Sequence, residues 1–132
     1  MELKSFTFGK TGRLAMGFDQ ALQHTKEILS KHGFGVQAEI DISATLKNKL
    51  GVDIPRETIL GVCNPGLAYK AIQAEPAITT LLPCNVTVKE SANETQIATA
   101  DPRQLIGITG KSELIEIATE ADERLTEALR EL

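Results

Sequence analysis

Between Cys84 and Lys89 the side chains alternate, with Cys84, Val86 and Val88 apolar and Asn85, Thr87 and Lys89 polar. A period of two over such a run is that of a β-strand with one dry face and one wet face. Ser91-Ala92-Asn93 follows as a hairpin connection, and Thr95 to Ala100 reads as the partner strand, broken by Asp101-Pro102. A hairpin of this kind calls for an antiparallel or mixed sheet, and for helices to cover the dry face. The C-terminal residues supply one such helix. From Ser112, read as its N-cap, the residues Leu114, Ile117, Ala118, Ala121, Leu125, Ala128 and Leu129 form an apolar stripe at helical spacing.

Upstream, residues 2–8 alternate with Phe6 and Phe8 on one face and predict a first strand. Gly9-Lys10-Thr11-Gly12 then reads as a turn or loop. A helix is expected from Phe18 to His32, with Gly17 as N-cap and Asp19 at its positive end. Gly33 ends it, and Phe34 is placed to fold back on the last turn. Val36, Ala38, Ile40 and Ile42 alternate with Gln37, Glu39 and Asp41 in a second strand. A short helix near Ala44–Leu50 follows, capped by Ser43 and stopped by Gly51. Arg56–Asn64 reads as a strand, and Pro65–Ala74 and Pro76–Leu82 as helices with Pro at their starts. The order β-α-β-(α)-β-α-β-β-α predicts one α+β domain over residues 1–132. Its sheet is mainly antiparallel or mixed, of about five strands, with helices packed on it.

Composition removes several functions. A chain of 132 residues with 42% apolar and 24% charged side chains is long enough and apolar enough to bury a core. The net charge of −4, with no basic cluster, argues against a nucleic-acid partner. Phe6, Phe8, Phe18, Phe34 and Tyr69 are the only aromatic residues, too few for a base-stacking platform. No apolar run approaches the roughly 20 residues of a membrane helix, so no membrane partner is expected. Met1 to Ser5 lack the features of a signal peptide. The triplets Asn85-Val86-Thr87 and Asn93-Glu94-Thr95 therefore read as chance, and the expected compartment is the cytosol. There, two cysteines are expected to be thiols.

Most chemical motifs fail on spacing. Gly9-Lys10-Thr11 and Gly110-Lys111-Ser112 resemble the end of a phosphate loop, but the required upstream glycine is replaced by Lys4 and Leu105. Only weak anion binding at the second is physically open. His24 and His32 are eight residues apart, which does not converge two imidazoles on one ion. The cysteines are 21 residues apart with no paired neighbour, unlike a zinc site. No Gly-x-Ser-x-Gly elbow is present. Glu39, Asp41 and Asp53 read as solvated carboxylates, and Glu120 with Arg124 as an exposed helical pair.

The cysteines are what is left. Cys63 ends a predicted strand where Asn64-Pro65 opens a helix, and a positive helix terminus favours the nucleophilic thiolate. Cys84 starts the next strand, and each thiol is followed by an Asn able to donate and accept hydrogen bonds. If the two strands are neighbours, the thiols share one end of the sheet. Against this, a buried Cys is also simply a small hydrophobe.

From Gly33 to Val86 the chain resembles the domain of unknown function 302 family. The residues that carry the likeness include Gly33-Phe34-Gly35-Val36, Glu39-Ile40-Asp41, Ala44-Thr45-Leu46-Lys47 and Leu50-Gly51-Val52. They continue through Ile59-Leu60-Gly61-Val62-Cys63-Asn64-Pro65, Leu67-Ala68, Glu75-Pro76 and Leu81-Leu82-Pro83-Cys84-Asn85-Val86. The first helix, from Phe18, resembles the family as well. The resemblance implies a compact α+β homodimer of bacteria or archaea with no established activity. It marks Cys63, Asn64, Pro65, Cys84 and Asn85 as signature positions. The residue two after Leu67, often His in that pattern, is here Tyr69, which adds Tyr69 to the candidate site.

Three functions stay open at this point. The first is a binding or accessory domain with a small-molecule site near Cys63 and Cys84. The second is a thiol enzyme or redox sensor with Cys63 as nucleophile and Cys84 as resolving thiol. The third is a structural module for self-association. No motif specifies a cofactor.

Overall fold

The hairpin lies near the middle of the sheet. β5 (Cys84–Ser91) and β6 (Glu94–Ala100) pair antiparallel, with Val88 opposite Ile97 and Ser91 opposite Glu94. The computed structural model describes residues 1–132. β1 (Lys4–Phe6), β2 (Gly9–Leu14), β3 (Gly35–Asp41) and β4 (Glu57–Cys63) complete a six-stranded antiparallel sheet of order β1-β2-β6-β5-β4-β3. Helices α1 (Phe18–Lys31), α2 (Ile42–Leu50), α3 (Pro65–Ala74), α4 (Pro102–Ile106) and α5 (Ser112–Glu131) connect and cover the strands, and the chain forms a single α+β domain. Short 3-10 turns span Pro76–Leu81 and Gly107–Thr109.

The sixth strand comes from the N-terminus. Residues 2–8 are not one strand, and Gly9-Lys10-Thr11-Gly12 is not a loop: the chain turns at Thr7-Phe8, and the glycine-containing stretch is β2. The glycine serves close approach here. A Cβ on Gly9 would lie 2.2 Å from the Thr99 carbonyl oxygen and 2.4 Å from the Phe6 ring. Phe6 and Phe8 stay exposed at this edge, their rings stacked edge to face at 4.9 Å.

Three helix starts differ in detail from expectation. Asp41, not Ser43, caps α2: its Oδ1 accepts from the Ala44 N–H at 2.9 Å and from the Ser43 hydroxyl at 2.6 Å. Ser43 is turned instead toward β4, where its Oγ accepts from the Glu57 N–H at 3.1 Å. α5 begins beside Lys111 without a side-chain cap, so Ser112 is its first residue rather than its N-cap. α4 has no counterpart in the sequence pattern: Asp101-Pro102, read there as a strand stop, is its N-cap and first residue, with Asp101 Oδ1 accepting from the Arg103 N–H at 2.9 Å.

The end of α1 is as the sequence suggests. Gly33 has a φ of +85°, the Phe34 N–H reaches the Leu29 carbonyl at 2.9 Å, and Phe34 is buried. Under α1 and α5, Leu60, Val62, Val86, Val88 and Ile97 of the sheet join Leu29, Phe34, Leu125 and Leu129 in a core of 14 buried residues. A second cluster of five, Ala71, Ile78, Ile106, Leu114 and Ala118, lies between α3, α4 and α5. No helix is long and apolar enough to cross a membrane.

Candidate functional site

β4 delivers Cys63 to the end of the sheet, and the next residue turns the chain into α3. Asn64 makes that turn as the N-cap, its Oδ1 accepting from the Leu67 N–H at 3.1 Å, with Pro65 in the first turn. β5 starts at Cys84, after a cis Leu82–Pro83 peptide. Cys84 stands opposite Val62, one residue from Cys63, so adjoining strands bring the two cysteines to one end of the sheet. Both are half-buried thiols.

A cavity of about 280 Å³ opens there, and both cysteines line it. Phe34, Val62, Leu82 and Pro83 form the sheet side, with Gln37 from the edge strand. α3 contributes Asn64, Leu67, Ala68 and Ala71, and the opposite wall is Pro102 and Ile106 of α4 with Ile117 and Ala121 of α5. The cavity is therefore the seam between the two apolar clusters. Burial pushes the Cys84 thiol up to about 11, and the neighbouring Cys63 adds to that rise. Cys84 is thus protonated at neutral pH. No carboxylate, ammonium, guanidinium or imidazole lines the cavity, and nowhere do three His, Cys, Asp or Glu side chains converge as a metal site.

The structure does not bring all five sequence candidates together. Cys63, Asn64 and Cys84 share the cavity. Tyr69 lies on the outer side of α3, 63% exposed and away from the lining. Asn85 faces away from it as well, in keeping with the alternation of β5, and its carbonyl accepts from the Thr99 hydroxyl at 2.8 Å. Gln37, Pro102 and Ile106 are wall residues that sequence reasoning passed over. Asp101-Pro102 was the available signal for α4, since an Asp-Pro pair both breaks a strand and starts a helix. Gln37 carried no signal of its own.

A polar cluster holds α4 against the rest. Lys10 Nζ donates to both Asp122 oxygens at 3.2 Å and to Thr126 Oγ1 at 2.7 Å. Arg103 approaches Asp122 at 3.4 Å and clasps Asp101 through Nε at 3.0 Å and Nη2 at 2.7 Å. These bonds to Arg103 hold the Asp101 carboxyl below the usual carboxylate range. His32, one of the two histidines, is engaged with Glu131 at the surface.

An antiparallel sheet under a helical layer, with a thiol-bearing cavity at their seam, defines a small α+β domain with a single larger apolar site. The chain belongs to the family described as Domain of unknown function DUF302, whose family model matches residues 10–132. It is similar to the uncharacterized conserved protein DUF302 from Bacillus stearothermophilus, known from a crystal structure. The identity is 28%, the TM-score 0.88, and the match covers 95% of this chain and 98% of that one. No curated protein matches the chain.

Proposed function

We propose that this protein is a small-molecule-binding domain whose site is the cavity beside Cys63 and Cys84. The observation that supports this reading is a cavity of about 280 Å³ walled by apolar side chains in a chain of this size. An ordinary core fills such space, and here small residues, Ala68, Ala71 and Ala121, leave it open. The test is a ¹⁵N NMR titration with isopropylbenzene, a neutral apolar probe. Saturable shifts confined to amides around Leu67, Ala71 and Ile106, lost in Ala71→Leu, are expected. Absence of saturable shifts at these residues overturns the reading.

The same reading includes a homodimer in a reducing, cytosol-like compartment. Supporting the dimer, α2 buries none of its residues and β3 is an open sheet edge. Ile40, Leu50, Val52 and Ile54 are all exposed in this region, and a nine-residue helix with no buried face is marginal alone. Supporting the compartment, both cysteines are free. A sedimentation mass near 14.3 kDa at micromolar concentration overturns the dimer.

A second reading draws on the two thiols opening into one cavity. In it, peroxide oxidises the Cys63 thiolate to a sulfenic acid, and Cys84 displaces water to form a disulfide. Mass spectrometry after peroxide treatment tests it by the loss of two hydrogens per chain. An ordinary thiol titration for Cys63, or a doubly oxidised product without the disulfide, sinks this reading.

A further inference from the structure

The register of β3 against β4 slips at one residue. Val36 faces Val62 and Ala38 faces Gly61, so Gln37 has no residue opposite it. A bulge of this kind re-aims the extra side chain, and Gln37 forms part of the cavity wall. Its Nε2 is 3.6 Å from where a Cβ on Gly35 would stand, and Gly35 faces Cys63 across the strands. Asn64, next in the chain after Cys63, has its Oδ1 held by the Leu67 N–H. With that oxygen engaged, the amide N–H₂ group, which makes no hydrogen bond within the chain, is the side chain's free donor. That group lies over Gly33, 3.0 Å from the place a Cβ would take there.

Two carboxamides thus provide donors on an otherwise apolar wall that carries no charged side chain. The start of α3 does not supply an anion site in their place. Pro65 has no N–H, the Leu67 N–H goes to Asn64 Oδ1, and the Ala68 N–H goes to the Asn64 carbonyl at 2.9 Å, which leaves the Gly66 N–H alone. A carboxylate entering here would lose its hydration with no cation and almost no free backbone donor to replace it. A neutral acceptor oxygen carries a far smaller desolvation cost and finds two donors.

We infer that the cavity takes a small neutral molecule with an apolar body and a carbonyl-type acceptor. Gln37 and Asn64 donate to that oxygen, and Gln37 sets the preference for it. The inference rests on the cavity reading above and adds the class of ligand. The space corresponds to roughly nine water volumes, which suits one ring or a short branched chain.

Three probes of matched size separate the possibilities: acetophenone, isopropylbenzene and benzoate, each titrated by NMR into the full chain and into Gln37→Ala. Acetophenone is expected to bind about tenfold more tightly than isopropylbenzene, as one well-made hydrogen bond provides. Gln37→Ala is expected to cut that advantage back to what Asn64 alone supplies and to leave isopropylbenzene unchanged, while benzoate fails to bind. Because Gln37 is exposed on the edge strand, the isopropylbenzene titration also reports that the variant is intact. Equal affinity for acetophenone and isopropylbenzene overturns the inference and leaves the cavity reading standing. Benzoate binding as tightly as acetophenone overturns it too, as does an acetophenone preference that is undiminished in Gln37→Ala. If none of the three binds, the inference falls together with the cavity reading.

Discussion

The two apolar clusters on either side of the cavity are built differently. The larger takes its residues from four neighbouring strands and two helices of 14 and 20 residues. The smaller uses no strand: it draws on α5, the ten-residue α3, the five-residue α4 and a 3-10 turn. A sheet fixes its side chains in two dimensions through register and pleat, whereas short helices hold one another through side chains alone. The comparison teaches why the cavity lies where it does. One wall, with Val62 and Cys84, is set by strand pairing, and the facing wall, with Ile106 and Ile117, is set by elements with less to hold them. Local stability is uneven in this way across many folds.

The largest expected effect breaks the comparison from the sheet side. Leu60→Ala, at a site with no exposure, should cost about 2–5 kcal/mol and lower protection of β4, β5 and β6 together. Leu114→Ala removes an equally buried side chain from the smaller cluster. There the loss is expected near the bottom of that range, about 2 kcal/mol, because a loosely tied neighbourhood collapses into the gap. Amide hydrogen exchange distinguishes the two: Leu114→Ala should speed exchange in α3 and α4 and leave β5 untouched. Equal loss of protection in β5 would show that the clusters form one cooperative unit.

Next in size is the polar cluster that ties the adjustable wall to the sheet. Asp122→Ala should cost about 2 kcal/mol in urea unfolding, because it takes the buried carboxylate from Lys10, whereas Arg103 keeps Asp101. A change within ordinary surface values, under about 0.5 kcal/mol, would mean that solvent already carries those charges.

How much of this was legible in the sequence follows the same division. The strands β5 and β6 and the helices α1 and α5 are strongly periodic, and most of their apolar positions lie in the larger core, with Leu114 and Ala118 of α5 in the smaller one. Cys63 and Cys84 fall at strand ends on the same patterns, but only the pairing of β4 with β5 brings them, with Asn64, to one cavity. The smaller cluster was less visible. α4 is five residues long, too short for a period to show, and its only mark was Asp101-Pro102, which also reads as a strand stop. Gly9 gave a turn signal, but its lack of a side chain admits the Thr99 carbonyl within a strand. Gln37 enters the cavity wall through a bulge, and a register slip depends on the partner strand rather than on local sequence.

Acid should probe the tie between Asp101 and Arg103. Hydrogen bonds from Arg103 hold Asp101 below the ordinary carboxylate value of about 3.9. Its folded-state value is therefore the lower one, so the unfolded chain takes up the proton first. The contribution to stability is whole above about pH 4 and is lost as pH falls through the folded-state value. Unfolding free energies measured from pH 5 downward should decline, and Arg103→Gln should flatten the decline while leaving stability above pH 5 only modestly changed. An unaltered slope in Arg103→Gln would assign the acid sensitivity to other carboxylates.

The smallest effect tests the larger cluster from within and has the opposite sign. Thr25 of α1 has no exposure, and its hydroxyl lacks a hydrogen-bond partner. Two other buried threonines are satisfied: Thr95 donates to the Met16 carbonyl at 2.9 Å and Thr99 to the Asn85 carbonyl at 2.8 Å. An unpaired hydroxyl in an apolar site costs about 1–3 kcal/mol relative to a paired one. Valine has nearly the same shape and a similar helix propensity, so Thr25→Val changes polarity and little else. It should raise stability by about 1 kcal/mol and the melting temperature by roughly 3–4 °C. Thr95→Val, where the bond is made, should instead be destabilising by about 1 kcal/mol. If Thr25→Val also destabilises, the hydroxyl has a partner in solution, and the larger cluster then contains a polar tie where its packing now reads as apolar.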